Sequence, residues 1–312
     1  MRQERQRWLQ GLLVFGLCAL TAACGEGGAP GQARELEPGT RRTQDDESSL
    51  VSRLESSPSN GFTPVVTEAG LITLSIDGLG TATATGTLQV QKPAGATVRR
   101  AFLAAASTGL TQRKLINGDV RLDGQTVNWS LSVQNNISSW NHWAEVTSMV
   151  RAKLDKAPAG RVPITVSEVN SSGIEGEILA VIFDDPAAPT RTVHLLFGAQ
   201  QAQGHTLDIT LAEPFHANTP GVLLDLSLGI SFGFQSGSVE ESQRGIVEVN
   251  GLRMTSLAGG QDDGENMNGS LLTVGGLDDT HDNPPPSCSA RARGVTTNSM
   301  ISVPSWARAA PG

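Results

Sequence analysis

The densest polar constellation in the chain lies between residues 259 and 283. It carries Asp262, Asp263, Glu265, Asn266 and Asn268, then Asp278, Asp279 and Asp282, all in Gly-rich or Asn-rich surroundings. Hard oxygen ligands on turn-forming backbone are what Ca2+ takes. The EF-hand spacing fails, because the Gly comes early and the closing Glu is missing. Asx-rich turns with solvated charge produce the same composition. Two readings therefore stand: calcium-holding loops, or plain turns. The two clusters flank the apolar run 271–274 and leave it at opposite ends. They sit on the order of 20 Å apart unless the loops curl back.

Other candidates are weaker. Gly229, Ser231 and Gly233 fit G-x-S-x-G, the nucleophile elbow of α/β-hydrolases. That motif needs a strained strand-to-helix turn. Here apolar alternation runs straight through the serine, and no apolar stripe follows it, so the serine reads as the polar face of a strand. The histidines are His142, His194, His205, His216 and His281. None forms H-E-x-x-H, and the even spacing of His194, His205 and His216 falls across different elements. Trp129, Trp140 and Trp143 offer the remaining chemistry. Exposed on one face, they would stack on sugar rings; buried, they are core. No Ser-His-Asp set or carboxylate pair can be assigned, because partners in a sandwich lie far apart in the chain.

The elements that must position these groups are strands. Residues 222–235 alternate strictly, with Leu224, Leu226, Leu228, Ile230, Phe232 and Phe234 on one face and Asp225, Ser227 and Ser231 on the other. Such alternation marks a strand with one face in a core. Shorter strands read through Ile72, Leu74 and Ile76; Leu88 and Val90; Val98 and Phe102; and Val162, Ile164 and Val166. Residues 178–183 are apolar throughout, which predicts a strand covered on both faces. Asp123 and Gly124 supply a hairpin turn within 120–129. Residues 140–156 are expected to be the single helix, around Val146, Val150 and Leu154. Further strands fall in 192–197, 206–211, 246–249 and 271–274. No fixed-period repeat is present, so a propeller or solenoid is not expected. The pattern predicts an all-β fold, a two-sheet antiparallel β-sandwich of jelly-roll-like type with one short helix, over residues 61–286.

Composition sets the remaining bounds. The chain has 312 residues, a formal charge of −8, 35 Gly and no Tyr. That acidic balance excludes nucleic acid, whose phosphates need clustered Lys and Arg. Residues 24–60 are rich in Gly, Pro, Ser, Glu and Arg and carry no period. They read as a disordered tether of on the order of 30 Å. The three cysteines, Cys18, Cys24 and Cys288, give no C-x-x-C site.

Arg2, Arg5 and Arg7 precede an apolar run over 9–23, too short to span a membrane as a mature helix and of signal-peptide length. It ends Leu20, Thr21, Ala22, Ala23, Cys24. Small residues directly before a cysteine resemble the lipobox of bacterial lipoproteins. The resemblance implies cleavage after residue 23, lipid on Cys24 and an outer-membrane or cell-surface location. Thr21 stands where Leu is commonest in that motif. The blocks 96–103, 120–124, 144–147 and 176–183 resemble a layout of secreted, adhesin-like bacterial β-sandwich domains of unknown function. That likeness implies an architecture and a location, with a protein or glycan as ligand, and assigns no active site. The alternative from a different class is a secreted β-sandwich hydrolase or carbohydrate-active protein using the 278–282 carboxylates.

Residues 287–312 lack strand alternation and are expected to be an irregular tail. They have the texture of a changed reading frame near Pro286. With GC-rich codons, 296–306 reads one base back as Asp-Asp-Glu-Leu-Tyr-Asp-Leu-Gly-Ala-Phe-Val, a strand-like opening that restores a tyrosine.

Overall fold

The structure is a computed structural model. It describes residues 62–80, 83–108, 111–135, 138–199 and 276–277, and elsewhere the backbone of eight strands, with side chains at 206 and 225–229. The strands run in chain order as β1 (Leu13–Ala23), β2 (Leu54–Ser56), β3 (Phe62–Leu79), β4 (Thr85–Lys92), β5 (Thr97–Ser107), β6 (Val120–Leu122), β7 (Gln125–Thr126), β8 (Leu131–Gln134) and β9 (Trp140–Glu145). The helix α1 (Thr147–Lys156) follows, then β10 (Gly160–Glu168), β11 (Ile174–Asp184), β12 (Thr190–Gly198), β13 (Gly204–Leu211) and β14 (Leu223–Ser231). The last four are β15 (Arg244–Val249), β16 (Leu252–Ala258), β17 (Leu272–Val274) and β18 (Thr296–Ser302).

Two antiparallel sheets make the body, as the alternation predicts. The larger has the order β17-β14-β1-β12-β3-β11-β5-β9-β8, and the smaller has β4-β10-β6-β7. A further backbone sheet, β16-β15-β18-β13-β2, holds β18 parallel to both its neighbours. The tail expected to be irregular thus contains a strand at Thr296–Ser302, where Thr and Ile supply β-branched residues that suit a pleated surface. Likewise Leu54–Ser56, inside the expected tether, pairs with β13.

The strand β11 shows why the fold needs two layers. Leu179, Val181 and Phe183 face the first core, with Leu88, Val90, Leu103, Val120, Leu122 and Ile164 from both sheets. Ile178, Ala180 and Ile182 face a second core, with Ile72, Phe102, Trp143, Val193 and Leu195. The apolar run 178–183 is thus covered on both faces, as its composition requires. Each large side chain buried this way contributes roughly 1.5–3 kcal/mol. In a flat sheet β14 would lie about 19 Å from β11, at ~4.8 Å per strand. Instead β14 and β17 come back against β11, so the large sheet curls.

The helix begins later than its sequence suggests. Trp140–Glu145 is strand β9, and only Thr147–Lys156 is helical. Asn141 and Trp143 lie on one face of β9, His142 and Ala144 on the other, a period of two that the helical spacing of Val146, Val150 and Leu154 masks. Val150 and Leu154 pack into the first core beside β5. Lys153 and Lys156 occupy the last turn, where cations suit the helix dipole.

Turn chemistry matches the sequence at residues 123 and 124. Asp123 has φ 45° and Gly124 φ 79°, the left-handed pair that a tight hairpin needs. In β10, Pro163 opposes Gln89 of β4, while β6 pairs only with Val166, Ser167 and Glu168. Pro163 thereby sits where one edge of β10 lacks a ladder partner, and its missing N–H costs little.

Candidate functional site

Two carboxylates follow the apolar parity of their strands into the first core. In β10, Val162, Ile164 and Val166 are buried, and Glu168 continues their face at 5 % exposure. In β11, Glu177 lies two residues before Leu179 and is 0 % exposed. The two side chains approach each other across the sandwich, near enough for each to shift the other's titration. No described donor reaches any of their four oxygens, so a hydrogen bond between them requires a proton on one of the two.

The surroundings are apolar and close-packed. Glu177 is flanked by Leu79 on β3 and Ala105 on β5. Beside them, a Cβ added to Gly86 would stand 2.6 Å from Leu79 Cδ2, so a larger residue there would require the Leu79 side chain to shift. The backbone of Glu168 is held by its N–H to the Ala84 carbonyl at 2.9 Å. Glu175, 7 % exposed, completes an acidic group at this end of β11.

Burial pushes all three carboxyls up. Glu168 reaches about 8 and Glu175 about 7. Glu177 rises well above the carboxylate range through burial and the Glu168 charge. Two carboxylates in contact cannot both ionise. Glycoside hydrolysis needs a pair about 5–9.5 Å apart with room for sugar or water. These two are buried and have no described donor, so their chemistry is proton binding.

The row through Glu177 continues sideways to a histidine. Ala105 pairs with Glu177 on one side and with His142 on the other. His142 Nε2 accepts the Leu115 N–H at 2.9 Å, which leaves the ring proton on Nδ1. Burial lowers His142 to about 4. Trp129, half-buried, tilts against it with ring centroids 5.4 Å apart.

The three tryptophans do not share a face. Trp143 is 4 % exposed and lies in the second core, stacked on Phe102 at 5.1 Å and tilted on Phe197 at 5.5 Å. Trp140 is half-buried, with Lys114 Nζ 5.1 Å from its ring centre. Trp129 packs against the first core. His194 is buried in β12, its Nδ1 3.0 Å from Thr67 Oγ1, and burial lowers it to about 4. Ser231 is the last residue of β14; Gly233 lies outside the described residues.

The opposite end of β11 holds carboxylates of another kind. Asp184 Oδ1 accepts Arg99 Nε at 2.6 Å, and Arg99 Nη1 donates to the Ala69 carbonyl at 2.9 Å. Gly70, at φ +134°, brings the backbone beside that guanidinium, 3.4 Å from where its Cβ would be. Glu145 accepts Arg100 Nη2 at 2.7 Å, and that bond holds Glu145 below the usual carboxylate range. Arg100 also lies over the Phe102 ring at 4.7 Å.

Cys24, Asp262, Asp263, Glu265, Asn266, Asn268, Asp278, Asp279 and Asp282 lie outside the described residues. Among the described residues, no group of three or more His, Cys, Asp or Glu is placed to hold a metal, and no helix is long and apolar enough to cross a membrane. Sequence reasoning missed Glu168 and Glu177. The usable signal was a carboxylate on the apolar parity of each strand, two residues from Val166 and from Leu179.

The fold is therefore an all-β, two-sheet sandwich with Glu168 and Glu177 buried near one end of β11 and Asp184 and Glu145 in ion pairs near the other. Comparison with family models, with curated proteins and with solved structures finds no match.

Proposed function

We propose that this chain is an extracytoplasmic lipoprotein, anchored through Cys24, whose β-sandwich serves as an adhesin-like binding or scaffolding module. The observation that carries the reading is the order of the first 24 residues: Arg2, Arg5 and Arg7, an apolar run, then Ala22 and Ala23 directly before Cys24. The body's chemistry supports a module over a hydrolase. The Glu168 and Glu177 carboxyls are buried without a described donor, and the described histidines are held neutral by burial. The ligand class is a protein or glycan, with Ca2+ stiffening the loops that carry Asp262, Asp263, Asp278 and Asp282.

On this reading residues 1–23 leave the mature protein. They include β1, which lies between β12 and β14. The mature sheet then closes β14 onto β12 or takes another strand in that place.

The test is expression of the full chain in a bacterial host supplied with labelled palmitate. The expected outcome is labelled, membrane-bound protein, with Cys24→Ala unlabelled and larger by the retained leader. An unlabelled wild-type chain that still begins at Met1 would sink the reading. A calcium titration followed by melting checks the loops: a rise in Tm at millimolar calcium is expected, and no rise removes them as a site.

A further inference from the structure

We propose that Glu168 and Glu177 form a proton-operated latch between the two sheets: one shared proton ties β10 to β11, and its loss opens this end of the sandwich. The geometry carries the argument. The two carboxyls come from opposite sheets, are 5 % and 0 % exposed, and have no other donor among the described residues. The strand neighbours that frame them are Leu79 and Ala105, with Ala84 and Gly86 on the β4 side. Once the proton leaves, two like charges face each other in a nonpolar gap, and separation with entry of water relieves them.

The groups facing this site from each packed element are these. β11 adds Glu175, whose charge raises Glu168. β9 adds His142, one strand beyond Ala105. The segment before β6 adds Asp119, whose carbonyl accepts the Val169 N–H, while its carboxylate is held by Arg113 and by the Ile116 N–H. The same segment carries Lys114, which lies over Trp140. β3 adds Asp77, whose Oδ2 accepts the Gln89 N–H of β4 at 2.6 Å. None of these is a cation hydrogen-bonded to the pair.

The direction follows from linkage. A carboxyl raised in the fold binds more protons folded than unfolded, so its stabilisation is present below about 4.3 and is lost as pH climbs through the folded value. For Glu168, the first of the pair to ionise, that folded value is about 8, and Glu177 keeps its proton beyond it. The histidines work the other way. His142 and His194 are lowered to about 4, so they cost stability only as pH falls below about 6.5. A scan from pH 6.5 to 8.5 therefore reads mainly the buried carboxyls, Glu175 among them, and comparison with the amide variants separates the pair from Glu175 and from the thiols and α-amino group that titrate in the same window.

The experiment is thermal melting of the full chain across that range, beside Glu168→Gln and Glu177→Gln. The wild-type Tm is expected to fall by on the order of 5–10 °C. Either amide, a permanent donor to the remaining carboxylate, should at least halve that fall. Parallel curves for wild type and variants overturn the latch. So does a calcium-induced rise in Tm at pH 8.5 that Glu177→Gln abolishes, because a cation and not a proton would then join the pair. Should the variants not fold, hydrogen exchange on wild type decides. Protection of amides 167–169 and 176–179 should fall about tenfold or more over the scan, while 182–184 holds. Equal behaviour at both ends of β11 overturns the proposal.

Discussion

The two ends of β11 carry carboxylates in opposite condition. At one end Asp184 meets Arg99, and on the neighbouring strands Glu145 meets Arg100; these side chains are between 27 % and 49 % exposed. At the other end Glu177 is fully buried beside Glu168, and no donor or cation among the described residues reaches it. About seven residues, roughly 23 Å of strand at ~3.3 Å per residue, separate the two arrangements. The chemical group is the same in both. The partner and the water decide whether it is held ionised or held protonated. Glu145 is pulled below its ordinary range by Arg100, whereas Glu177 is pushed far above it by burial.

The stretch between the two ends is packed into a core on each face. Phe183 is 0 % exposed in the first core, and Phe183→Ala should cost about 3–5 kcal/mol, read as a lower urea midpoint. A loss below 1 kcal/mol would mean that β11 is not the shared wall of the two cores. Next comes the buried end. Glu168→Leu combined with Glu177→Leu removes two desolvated carboxyls, and should stabilise the chain at pH 8 by about 1–4 kcal/mol, by analogy with buried ion pairs replaced by apolar groups. The same pair of changes should gain less at pH 5, where both carboxyls are protonated. Destabilisation at pH 8 would show the carboxyls to be favourable there when charged. The exposed end should respond least. Arg99→Ala is expected to cost about 1 kcal/mol or less, and 1 M salt should shrink the effect. A larger, salt-insensitive loss would mark Arg99 as a brace of the β3 bend at Gly70 and not an ordinary surface pair.

Much of the fold was visible in the chain itself. The run 178–183 announces a strand covered on both faces, and Asp123 with Gly124 announces the hairpin, because both depend on local chemistry. β9 was hidden for a local reason too. Val146, Val150 and Leu154 carry a helical spacing, and extending that helix backwards swallowed the alternation of Asn141, His142, Trp143 and Ala144. The carboxyl pair was hidden for a different reason. Parity places Glu168 and Glu177 on apolar faces, but only the packing of one sheet on the other tells which side chains meet. The three tryptophans illustrate the same limit: Trp140 and Trp143 stand on opposite faces of one strand, while Trp129 reaches His142 from a separate segment. The acidic residues between 262 and 282, and Cys24, belong to parts of the chain outside the described residues, and rest on sequence chemistry alone.

Proton counting during unfolding tests the buried end most directly. The full chain is unfolded by urea at pH 7.5 in weak buffer, and the released acid is titrated, for wild type and for Glu177→Gln. Wild type should release about one proton more per chain than the variant, because the folded state holds a proton that a free carboxylate does not. Equal release from the two proteins, or net uptake by wild type alone, would contradict a shared proton between Glu168 and Glu177.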